Sequence, residues 1–138
     1  VTLENGPLEV VPGSHKTEIH SLWHDGVFTG AVDAKIEKDS RKNAVMCTGK
    51  AGDACLMHTR VLHGSLPNKT KVPRCLYIAT YASEDSIALD RNHLPSKYDG
   101  EIVRGKRTGT VRASSYNMAL PEYPEEASFF NQQSKTVS

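Results

Sequence analysis

The sequence predicts a mainly β domain built from antiparallel hairpins, as in part of a sandwich or barrel. Two observations carry that prediction. Short strand-length runs separated by Gly, Pro and Asn turns dominate the first ninety residues, and the strongest run is apolar on both faces. Leu8-Glu9-Val10-Val11 is the first strand, entered from Asn5-Gly6-Pro7 and left at Pro12-Gly13. Residues 14–43 are polar, carry the charge cluster from Glu37 to Asn43, and read as a long loop with room for one short helix. Order resumes at Ala44-Val45-Met46-Cys47, turns at residues 49–53, and continues through Ala54-Cys55-Leu56-Met57 and Val61-Leu62-His63.

The run from Arg74 to Tyr81 is the central strand of this reading. A period of two puts Arg74, Leu76, Ile78 and Thr80 on one face and Cys75, Tyr77, Ala79 and Tyr81 on the other. Residues 1–92 are thus the β portion. Residues 93–138 lack sustained periodicity and read as an extended tail that wraps the sheet or is partly disordered. Its basic stretch from Arg104 to Arg112 is a solvated surface, with attraction for an acidic group such as a coenzyme A phosphate as the alternative.

Lys and Arg total 17 against 16 acids, a balance that argues against nucleic-acid or membrane-surface binding, both of which need a basic excess. No apolar run is long enough to span a bilayer. The three cysteines, Cys47, Cys55 and Cys75, show no CxxC spacing. They read as small buried apolar thiols in a reducing compartment, so the expected location is cytoplasmic. The chain opens at Val1 inside what reads as a domain, which leads us to expect coding sequence upstream.

His63 and Arg74 flank the polar turn Gly-Ser-Leu-Pro-Asn-Lys-Thr-Lys-Val-Pro. A hairpin joining their strands would set them roughly 5–10 Å apart, given strand spacings near 4.8 Å and a rise near 3.3 Å. That is the scale of a short dicarboxylate, with one end on a metal held by His63 and the other on the planar fork of Arg74. An internal Asp or Glu is the alternative partner for an inward-facing Arg74. His58 lies five residues before His63, faces the opposite way in a continuous strand, and reads as a packing or solvent residue.

The segments NGPLEVVPGSH (5–15), GDACLMHTRVLHGSLPN (52–68) and PRCLYIATYASED (73–85) together resemble the phytanoyl-CoA dioxygenase family of iron(II)- and 2-oxoglutarate-dependent oxygenases. The resemblance covers about residues 3–90 and continues more weakly into YDGEIVRG (98–105). It implies a partial double-stranded β-helix, a cupin-like jelly roll. It also implies an iron site of two histidines and one carboxylate, with positions open for cosubstrate and dioxygen. By that resemblance His63 is the second histidine ligand, Arg74 pairs with the distal carboxylate of 2-oxoglutarate, and Ser65 supports the same carboxylate. The substrate would be a small organic or acyl molecule, and the 14–43 loop would shape its pocket.

The other two ligands of such a site come from a His-x-Asp or His-x-Glu motif. None of the six histidines here, His15, His20, His24, His58, His63 and His93, has an acid two residues later. The expectation is therefore the C-terminal portion of an oxygenase domain. Its uncovered sheet edges would favour a homodimer. Two rival readings stand beside it: a halogenase, in which chloride replaces the carboxylate ligand, and a non-catalytic remnant acting as a self-associating binding or structural unit.

Overall fold

A computed structural model describes residues 1–88 and 96–113. The described residues group into two units that divide between Leu76 and Tyr77. Most of the tail expected over 93–138 lies outside them, as does His93. The described chain is mainly β, with small sheets and one α-helix, and no helix among the described residues is long and apolar enough to cross a membrane.

All the regular elements among the described residues belong to the first unit. They are β1 (Leu8–Val10), a 3-10 turn (Ser14–Lys16), β2 (Trp23–His24), β3 (Val27–Phe28), α1 (Ala34–Arg41), β4 (Val45–Cys47) and β5 (His63–Ser65). β1 is the middle strand of a three-stranded antiparallel sheet ordered β4-β1-β5. Its register sets Val10 between Val45 and His63, and Leu8 between Cys47 and Ser65. Directly opposed residues share a face. One face therefore carries Leu8, Val10, Val45, Cys47, His63 and Ser65; the other carries Glu9, Met46 and Gly64.

The β1–β5 pairing runs past the strand ends. Val11 N donates to Leu62 O (2.9 Å) at one end, and Leu66 N donates to Pro7 O (3.3 Å) at the other. Ser14, 8% exposed, secures the first end: its hydroxyl donates to Val11 O (2.8 Å) and accepts from Leu62 N (2.8 Å). Arg60 adds a guanidinium hydrogen bond to Thr17 O (2.8 Å). Gly6 governs the second end. Its φ is +79°, and a Cβ there would run into the Leu66 carbonyl oxygen, with Asn68 N and Pro67 C just behind.

The expected loop over 14–43 holds more structure than a single helix. In Trp-His-Asp-Gly-Val-Phe (23–28), Asp25 and Gly26 both take positive φ (52° and 76°), the turn that joins tightly paired strands, and Trp23 meets Phe28 edge-on at 5.3 Å. Helix α1 is capped by Asp33, whose side chain accepts from Lys35 N (2.8 Å), and buries no residue. Arg41 at its end pairs with Glu37 one turn back (3.0 Å) and reaches Glu9 on the sheet (3.8 Å).

Two expected strands are corrected. Among the described residues, neither Ala54–Met57 nor Arg74–Tyr81 joins a sheet, so the predicted hairpin between His63 and Arg74 does not form; β5 pairs with β1 instead. A run that is apolar on both faces needs covering and backbone partners on each side, and the described residues supply none. Leu76, Tyr77, Ile78 and Tyr81 are 59–91% exposed. The cysteines are likewise not the buried groups expected: Cys55 and Cys75 are exposed and Cys47 half-buried. Among the described residues no apolar side chain of the hydrophobic class is buried, and Pro7 is the one large side chain fully enclosed. With so little apolar cover, the described residues form no interior for a thiol to enter.

In the second unit, adjacent acids organise the basic stretch. Glu84 accepts from Thr108 N (3.0 Å) and its hydroxyl (2.7 Å), while Asp85 accepts from Ser83 and from Arg112 (3.1 Å). The hydrogen bonds from Thr108 hold the Glu84 carboxyl below its ordinary range; that from Ser83, with Arg112 nearby, does the same for Asp85. Both residues are only half-buried, and solvent screens their charges, so the effect on stability is small.

Two predictions follow from these contacts. Gly6→Ala should destabilise the β1–β5 pairing by about 2 kcal/mol, through positive φ and the carbonyl clash, and should speed hydrogen exchange at the Leu66 amide. A lowered carboxyl pKa gives stability that is present above the ordinary value and lost as pH falls through the depressed one. Acidification from about pH 5 to below 3 should therefore free the Thr108 amide, seen as a loss of its exchange protection, while Leu62 in the first unit keeps its own.

Candidate metal and anion site

His63 opens β5 on the face that also carries Ser65. That face is open: Val45, across Val10 from His63, is 52% exposed, and His63 and Ser65 are both exposed. The ring of His63 is oriented by its own backbone. Nδ1 lies 2.7 Å from Val61 O, and a carbonyl only accepts, so Nδ1 carries the hydrogen. In that tautomer the lone pair is on Nε2, away from the Val61 carbonyl. This is the tautomer a metal needs, with the other ring nitrogen donating to a carbonyl.

His58 has the opposite arrangement. Its Nδ1 accepts from Arg60 N (3.1 Å), which leaves the hydrogen on Nε2 and no outward lone pair. The His58 ring stands 5.3 Å from that of His15, whose Nδ1 is buried without a partner among the described residues. His58 is itself exposed; the role expected for it is packing or solvent contact.

Arg74 lies beyond the turn that closes over Asn68. The Asn68 side chain accepts from Thr70 N (2.9 Å) and donates to Val72 O (2.9 Å), and Lys69 N is tied to Glu4 O (2.9 Å). Arg74 is half-buried, and among the described residues its guanidinium forms no ion pair. The internal acid weighed as an alternative partner is thus absent from the described residues. His63 and Ser65 are brought together by the sheet; Arg74 follows in the same unit but in no regular element. A groove of about 690 Å³ between the Ser14–Lys16 turn and α1 is lined by Thr17, His20, Lys35 and Asp39 among others, and not by His63, Ser65 or Arg74.

The described residues do not make up a complete metal site. No three His, Cys, Asp or Glu side chains among them converge to hold an ion. Residues 1–75 match the sequence model of the family described as "Phytanoyl-CoA dioxygenase (PhyH)".

The chain belongs to the phytanoyl-CoA dioxygenase family.

His63, Ser65 and Arg74 all fall inside the matched region. Among curated relatives, the chain is 30% identical over 127 residues to the "Probable alpha-ketoglutarate-dependent hypophosphite dioxygenase" of Stutzerimonas stutzeri, covering 88% of this chain and 43% of that protein. It is 33% identical over 97 residues to the human "Phytanoyl-CoA dioxygenase, peroxisomal", covering 65% of this chain and 28% of that protein. This member of the phytanoyl-CoA dioxygenase family therefore spans less than half the length of either relative. No solved structure matches it significantly.

The opposed tautomers are directly measurable. Long-range ¹⁵N–¹H correlation spectra of the neutral rings should place the hydrogen on Nδ1 in His63 and on Nε2 in His58.

Proposed function

We propose that residues 1–138 form part of an iron(II)- and 2-oxoglutarate-dependent oxygenase domain acting on a small organic or acyl substrate. In this reading the three-stranded sheet is a section of a double-stranded β-helix, and its His63-bearing face lines the interior. His63 supplies one iron ligand through Nε2. Arg74, with no acid of its own among the described residues, binds the distal carboxylate of 2-oxoglutarate, assisted by the Ser65 hydroxyl. The remaining two protein ligands come from outside these 138 residues, since no His-x-acid motif lies within them. The observation that carries the reading is the Val61 carbonyl fixing the hydrogen on Nδ1 of His63.

Equilibrium dialysis under nitrogen tests the assignment. The chain should bind Fe(II) weakly, lose that binding in His63→Ala, and keep it in His58→Ala. Arg74→Ala should weaken 2-oxoglutarate binding by about tenfold or more, the worth of a charge-assisted pair. Fe(II) retention by His63→Ala would remove His63 from the site. Succinate formation at enzymatic rates by this chain alone would overturn the claim that two ligands lie elsewhere.

A second reading, a non-catalytic unit that self-associates, draws on the exposed apolar run from Leu76 to Tyr81 and on the lack of a three-ligand cluster among the described residues. It calls for a concentration-dependent dimer in sedimentation, with no Fe(II) binding that depends on His63.

A further inference from the structure

Cys47 and Cys55 are both free thiols, and the backbone between them folds back on itself. Cys47 ends β4 opposite Leu8, on the face that carries His63 and Ser65. Just beyond it the chain reverses. Asp53 N donates to Lys50 O (3.2 Å), Lys50 N donates to the Asp53 carboxylate (2.8 Å), and Gly52 takes φ +96° inside the turn. The Asp53 side chain also lies against Gly49, which keeps the two arms of the reversal close. Cys55 comes two residues after this closure, fully in solvent reach, and no strand pairing carries it away from β4. Burial, and then the Cys55 thiol beside it, push the Cys47 thiol above its ordinary range.

We propose that Cys47 and Cys55 form a reversible intramolecular disulfide when the chain meets hydrogen peroxide, closing the 49–53 turn on the face of the sheet that carries His63 and Ser65. Cys55, the exposed thiol, meets the oxidant. Its sulfur gives two electrons to the peroxide, the O–O bond breaks, and a sulfenic acid and one water result. The Cys47 sulfur then attacks that of Cys55. The S–S bond forms, the S–O bond breaks, and a second water leaves with the proton of Cys47. Two thiols and one peroxide thus become one disulfide and two waters. The inference does not depend on the oxygenase reading.

The sequence makes the test direct, because trypsin cuts after Lys42, Lys50, Arg60 and Arg74 and puts each cysteine in its own peptide. The full chain is treated with one equivalent of hydrogen peroxide, alkylated, digested and weighed. The expected product joins peptides 43–50 and 51–60, with both thiols lost to alkylation, while the peptide beginning at Cys75 is alkylated in full. Dithiothreitol should restore alkylation at Cys47 and Cys55. Since the Cys47 thiol holds its proton to higher pH than usual, the yield at a fixed early time should climb with pH past the ordinary thiol range.

Cys55→Ser should abolish the link and leave Cys47 alkylated. In concentrated urea the preference for this pair over pairs with Cys75 should fall, which separates folded geometry from nearness in sequence. Links to Cys75 in the folded chain would overturn the proposal. So would a pair preference unchanged by urea, or oxidation of Cys55 to sulfinic acid with no link.

Discussion

The antiparallel pairing of β1 with β5 is the contact on which the rest of this structure depends. It runs from Val11–Leu62 to Pro7–Leu66 and sets Val10 beside His63 and Leu8 beside Ser65. A slip of one residue would turn both candidate side chains to the other face, because side chains alternate along a strand. Two local devices oppose such a slip. The buried Ser14 hydroxyl bridges Val11 and Leu62 at one end, and the absent side chain of Gly6 admits the Leu66 carbonyl at the other. Both belong to the stretch from Asn5 to His15 that carries part of the family resemblance. The residues that make the family recognisable are thus partly the ones that hold the register.

Much of this was legible in the sequence where local chemistry decides the outcome. The turns at Asn5-Gly6-Pro7 and Pro12-Gly13 frame β1, β4 falls on the run ending at Cys47, and a helix occupies part of the polar segment. The Asp25-Gly26 hairpin was equally readable, since Asp-Gly between Trp-His and Val-Phe is a strong hairpin signal, yet the segment's overall polarity masked it. The strand expected from Arg74 to Tyr81 marks the limit of such reading. Its alternation is a statement about environment, and a strand covered on both faces needs neighbours that the described residues do not supply. Family and candidate residues could be read from short motifs, whereas the joint placement of His63 and Arg74 depends on pairings that no local pattern encodes.

The five described histidines show why residue type alone is a weak guide to a metal ligand. His24 donates from Nε2 to the Ala31 carbonyl, His58 accepts at Nδ1 from a backbone amide, and His15 buries an unpartnered Nδ1. In His63 a carbonyl two residues back takes the Nδ1 hydrogen while the ring remains exposed. The same imidazole is thus prepared differently by neighbours within two to seven residues. The sequence shows which histidine stands in the family motif, and the Val61 carbonyl is the local feature that favours the ligand role proposed for it.

The docking of α1 carries a consequence of its own. The helix buries no residue, and its recorded ion-pair link to the sheet is the half-exposed Arg41, shared between Glu37 at 3.0 Å and Glu9 at 3.8 Å. A helix held to the sheet in part by charge answers to ionic strength. At low salt the guanidinium can serve both carboxylates. As the Debye length shrinks to a few ångströms near molar salt, the longer contact to Glu9 weakens first, and the hold of α1 on β1 loosens.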